Sequence, residues 1–156
     1  MTGDDHIHPQ AAIAPGYLTN HAARAFNRLV DTALRPHGVS LSLLGPIMLL
    51  SWKGPMLQRD LVRDSAVKQP AMVAVLRKLE GMNLIQRSTT ETDRRAAVVS
   101  LTSQGELLAE AGGNALIQAN IVGLKGFSEA DAAQLVSLLQ RLIVSLEAAD
   151  GTKHHT

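Results

Sequence analysis

Apolar residues recur at three- and four-residue intervals along most of this chain, the spacing that puts them on one side of a helix. Over residues 17–35 they fall at Leu18, Ala22, Ala25, Phe26, Leu29, Ala33 and Leu34, and Pro36 and Gly38 end the run. A second helix is expected over residues 41–52, with Ser40 as its cap. Gly45 and Pro46 inside it predict a late start or a kink, because proline removes a backbone donor. Gly54 and Pro55 make the next turn. A short helix follows at residues 57–64, then a tight turn at 65–67. The next helix opens at Gln69-Pro70, where proline suits the first turn, and runs to about Gly81. Its inward stripe is Met72, Val75, Leu76 and Leu79, and Asn83 supplies a left-handed closing residue.

The pattern changes over residues 84–101. Two short extended pieces, Leu84-Ile85 onward and the alternating Ala97, Val99 and Leu101, flank a polar tip, which reads as a β-hairpin. Helical spacing then returns from Thr102 and Ser103 to about Gly123. Ser103 with Glu106 spells a capping box, and Thr102 is the other candidate cap. Gly112 and Gly113 weaken the middle of this helix by up to about 1 kcal/mol each. A last helix opens at Ser128 and carries Leu135, Leu138, Leu142 and Leu146. Residues 1–16 and 151–156 read as tails. The tail histidines His6 and His8 have no companion ligands, so no metal site is assigned and no cofactor is expected.

In order, these elements give a mainly α fold with a small β-hairpin wing: a winged helix-turn-helix over residues 39–101. A dimerisation helix at 17–38 precedes it and dimerisation helices at 102–150 follow. Neither outer stripe, at 18–34 or 135–146, has enough chain around it to be buried within one subunit.

Composition narrows the function. The 156 residues include no cysteine, which excludes a disulfide scaffold, a thiolate zinc site, a cysteine nucleophile and a cysteine oxidant sensor. Aromatics are 3%, too few for the base-stacking surfaces of single-strand binders. No segment reads as a membrane span or a secretory signal, so the expected location is the cytoplasm. The six histidines lack a nucleophile–base signature, and no enzymatic activity is expected. The net charge is only +1, yet residues 53–95 hold nine basic and five acidic residues, a net of +4 against −3 for the rest. Positive charge therefore collects where a helix-turn-helix would meet phosphate.

That motif needs a small, polar outer face at the start of its second helix. Lys68, Gln69, Ala71, Ala74 and Arg77 lie away from the apolar stripe. Lysine can contact phosphate or guanine, glutamine can pair with adenine, and Ala71 can touch a thymine methyl.

The run VKQPAMVAVLRKLEGMNLIQRSTTETDRRAAVVSLTSQG resembles the recognition helix and wing of the multiple-antibiotic-resistance regulator (MarR) family. The likeness lies in Gln69-Pro70-Ala71-Met72, Leu76…Leu79-Glu80, Leu84-Ile85, Asp93-Arg94-Arg95 and Leu101-Thr102…Gly105, and the helical layout extends it over about residues 17–146. Asn83 stands where the family usually has glycine, and Ala71 where it often has threonine or serine.

The resemblance implies an obligate homodimer with intertwined terminal helices, acting as a sequence-specific transcriptional regulator on double-stranded DNA. The site would be a pseudo-palindrome. The implied DNA contacts are Lys68, Gln69, Ala71, Met72, Arg77, Arg87, Arg94 and Arg95, with Asp93 bracing the wing. Asp93 and Arg95 align with the aspartate and arginine of the wing motif, while either Arg94 or Arg95 could enter the minor groove. The resemblance further implies a repressor relieved by a small aromatic or phenolic ligand, with His21, Met48 and Trp52 as the pocket candidates. Repression or activation depends on where the site lies relative to a promoter. A winged-helix protein-interaction module without DNA binding is the alternative.

Overall fold

A computed structural model of the chain describes residues 8–65, 69–89 and 96–151. Its helices are α1 (Pro15–Leu34), α2 (Leu41–Lys53), α3 (Gln58–Asp64), α4 (Gln69–Gly81), α5 (Ser103–Gly123) and α6 (Glu129–Asp150). The strands are β1 (Met56–Leu57), β2 (Ile85–Thr89) and β3 (Ala97–Leu101), and short 3-10 turns occupy Ala11–Ile13 and Arg35–His37. The fold is mostly helical with one small antiparallel sheet, the winged-helix arrangement expected from the residue pattern.

Three local features depart from expectation. The sheet has three strands in the order β1-β3-β2, because Met56 and Leu57 pair with Val99 and Val98 on the free edge of the hairpin. The second helix begins on time at Leu41 and runs through Pro46 to Lys53. The carbonyl that Pro46 leaves without its intrahelical donor belongs to the exposed Ser42, within reach of water. Ser40 makes no capping bond; its hydroxyl pairs with that of Ser42 at 2.6 Å. The α2 N-terminus is instead capped from α1, where Asp31 Oδ1 accepts the Leu41 N–H at 2.6 Å. A carboxylate there also suits the positive end of the helix dipole.

The chain forms two compact units, Met1–Ala119 and Asn120–Thr156. In the first, Val30 and Leu34 of α1, Leu43, Leu44, Ile47 and Leu50 of α2, Leu61 of α3, Met72, Leu76 and Leu79 of α4, and Ile85 and Val99 of the sheet share one core. The start of α6 in the second unit is closed by a capping box, with Ser128 and Asp131 exchanging side-chain and backbone hydrogen bonds. No α6 residue is buried, and Leu135, Val136, Leu138, Leu139, Ile143, Val144 and Leu146 are all exposed.

By length and composition α6 does match a membrane span, against the expectation that no segment would. Arg141 at its middle, with Gln134, Ser137, Gln140 and Ser145 nearby, would be costly in hydrocarbon. The row of leucines suits a helix that covers one side against protein.

The joint between α4 and α5 is closely specified. Asn83 has φ 58°, the left-handed conformation expected of it. The Leu84 N–H donates to Leu79 O and the Asn83 N–H to Glu80 O, both at 3.0 Å, which makes a Schellman closure with Leu84 buried in the same core as Leu79. Thr102, not Ser103, caps α5: its Oγ1 accepts the Gly105 N–H at 3.1 Å. The Thr102 hydroxyl donates to Asn83 O at 2.6 Å, and its N–H donates to Leu84 O at 3.1 Å. Gly105 lies so close to this turn that a Cβ there would collide with the Leu84 carbonyl oxygen.

Candidate nucleic-acid interface

The geometry of α4 follows from its sequence. Met72, Leu76 and Leu79, four and three residues apart, are fully buried and fix which side of the helix faces the core. Gln69, Pro70, Ala71, Ala74, Arg77 and Lys78 are left exposed. The helix packs against α2 and β2 on its inner side. Gln69 and Ala71 thus stand on the outer side of the first turns, and Arg77 stands about two turns further along the helix. Met72 does not join them. It was counted among the DNA contacts, yet its side chain is 0% exposed and serves the core.

The positive charge of the 53–95 span sorts into paired and unpaired groups. Lys53 Nζ lies 2.8 Å from Asp64 Oδ2, and Arg63 contacts Asp64 at 3.0 Å and Asp60 at 3.1 Å. This cluster ties the end of α2 to the end of α3. The Arg63 and Lys53 hydrogen bonds, in that order, hold the Asp64 carboxyl down at about 2. Asp64 and Asp60 in turn raise the Arg63 guanidinium. Arg87 also turns inward: its Nε is 2.6 Å from Glu80 Oε2, and its Nη1 donates to Gln58 Oε1 at 3.2 Å. Its charge is therefore paired within the protein. Arg59, Arg77 and Lys78 form no ion pair with another described residue and are exposed.

A cleft of about 380 Å³ separates α3, the start of α4 and the base of the wing, lined by Leu57, Gln58, Arg59, Val62, Gln69, Ala96 and Ala97. It brings Arg59 into the same site as Gln69. Sequence reasoning counted Arg59 toward the charge but gave it no role. Its signal was position in the first turn of the short helix, on the side away from Leu61.

Lys68, Asp93, Arg94 and Arg95 lie outside the described residues. The three ligand candidates occupy different settings. His21 is exposed on α1 with the Tyr17 ring edge-on at 6.0 Å, Met48 is buried in the core, and Trp52 is 68% exposed at the end of α2.

Residues 47–97 match the MarR family profile. The chain is 27% identical over 132 residues to the HTH-type transcriptional regulator BilQ of Clostridium symbiosum, covering 85% of this chain and 92% of that one. Among solved structures it is similar to a probable transcriptional regulator from Pseudomonas aeruginosa, with TM-score 0.74, 27% identity, and coverage of 84% of this chain and 98% of that one. A MepR–DNA complex of S. aureus has the same fold, with TM-score 0.78, 21% identity, and coverage of 85% and 98%.

Proposed function

We propose, from the match of residues 47–97 to the MarR family profile, that this chain is a winged-helix transcriptional regulator of that family, acting as a homodimer that binds a pseudo-palindromic site in double-stranded DNA and represses transcription until a small ligand releases it. The observation that carries the reading is the two-sided α4. Its inner side is sealed by Met72, Leu76 and Leu79, while Gln69, Ala71 and Arg77 are exposed on the other. A helix held this way can enter a major groove without losing core contacts. Gln69 and Ala71 would read bases, and Arg77, Lys68 and Arg59 would meet phosphate. The Asp93-Arg94-Arg95 wing would reach the minor groove, where an arginine gains most in a narrow A·T-rich tract. The unburied rows on α1 and α6 support a dimer, since Leu18, Leu29, Leu138 and Leu146 are left in solvent by a single chain. For the ligand, of aromatic or phenolic character, we assign His21 and Trp52 as contacts and leave Met48 to the core. Such a regulator works in the cytoplasm, where its DNA is.

The test is a mobility-shift titration, over a salt series, on duplexes recovered by the protein from a random-sequence pool. Discrete complexes whose affinity falls steeply with salt are expected, on half-sites spaced about 10 bp apart. Gln69→Ala should relax preference at one base position by about 1–3 kcal/mol. Equal weakening on every duplex would remove Gln69 from base reading. Failure to retain any duplex at low salt would favour the protein-interaction alternative.

A further inference from the structure

We propose that Arg87 is a positioning residue that sets the angle of the wing against the recognition helix, and that it does so in place of touching DNA. The inference rests on the DNA-binding reading above. Arg87 sits in the middle of β2, paired with Val99 of β3, whose other neighbour is Met56 of β1. Side chains alternate along a strand. Ile85 is buried, Gln86 and Ser88 are exposed, and Arg87 returns to the Ile85 side with its side chain 25% exposed.

From there its guanidinium reaches two other elements. It meets Glu80 in the last turns of α4 and Gln58 at the first residue of α3. One side chain thus links the hairpin to both helices of the reading motif. The fork geometry of arginine suits such a bridge, since separate nitrogens serve separate partners. The Arg87 contact also holds the Glu80 carboxyl below its ordinary value. To contact phosphate, Arg87 would have to release Glu80 and Gln58 and leave an unpaired carboxylate beside the DNA. As a brace it instead fixes the tilt of β2 against α3 and α4.

The two roles predict opposite signs for Glu80→Gln. If Arg87 touched phosphate, removing Glu80 would free a cation, delete a nearby negative charge and tighten binding. As a brace, loss of Glu80 loosens the wing. The probe is the tightest duplex that the wild-type protein selects from a random-sequence pool. Glu80→Gln is expected to bind it about fivefold more weakly, and tighter or unchanged binding would overturn the proposal. Arg87→Gln should weaken binding while leaving the slope of log affinity against log salt as in the wild type, whereas each lost phosphate contact would reduce the slope by about 0.9. The exchange Glu80→Arg with Arg87→Glu should recover affinity over Arg87→Glu alone. No recovery, or a reduced slope for Arg87→Gln, would count against the brace. If the wild type itself selects no duplex, it is the DNA-binding reading that has failed.

Discussion

Helices α4 and α6 are both written with apolar residues three and four apart, yet the chain treats them differently. In α4 the stripe Met72, Leu76 and Leu79 is fully buried. In α6 the row Leu135, Leu138, Leu142 and Leu146 includes no buried residue. The period tells which side of a helix seeks cover; it does not tell whether the cover comes from the same chain. For α4 the cover is α2 and β2. For α6 we assign it to a second copy, and the strength of that contrast can be measured.

The sharpest break is Leu138→Asp. A charge placed in a dimer seam should weaken self-association by at least about 100-fold, near 3 kcal/mol, as read by sedimentation equilibrium. It should also abolish any rise of melting temperature with protein concentration. An unchanged dimer would erase the difference between the two helices. Leu76→Ala should act on the other side of the comparison. A loss of about 3 kcal/mol is expected, visible in denaturant unfolding and carried within the subunit. Gly105→Ala comes next, at about 2 kcal/mol, because the added methyl must displace the Leu84 carbonyl; an unaffected unfolding midpoint would mean that the joint yields.

The smallest effect concerns acid. Asp64 is lowered from its ordinary 3.8 to about 2 by Arg63 and Lys53, so its contribution is present above about pH 4 and is lost as pH falls toward 2. Asp64→Asn should flatten the dependence of melting temperature on pH across that window. An unaltered acid limb would show that this exposed cluster adds nothing measurable.

Most elements were legible in the residues: the six helices among the described residues, the two strands of the hairpin, the stripe of α4 and the left-handed Asn83. What was missed was short or remote. Strand β1 has two residues, too few to show a period. The α2 cap comes from Asp31, ten residues before its target and across a turn, so local inspection favoured Ser40. Helix α1 begins at Pro15, two residues ahead of the expected start, since proline and glycine read as breakers although proline is welcome in a first turn. In the candidate site, exposure of Gln69, Ala71 and Arg77 followed from spacing alone. The inward turn of Arg87 did not, because it depends on a strand alternation that starts at Ile85 and on an acid seven residues upstream. Met72 was assigned to both sides of its helix, and a side chain has only one.

The clasp of Asn83, Thr102 and Gly105 has a mechanical consequence. Two hydrogen bonds from Thr102, to Asn83 O and Leu84 O, and a carbonyl with no clearance behind it fasten the tail of α4 to the head of α5. The two helices therefore meet like a crank and its shaft, at one close-fitting bearing. A twist imposed on the first turn of α5 has a direct path, through Thr102 and the Leu84 carbonyl, to the end of α4.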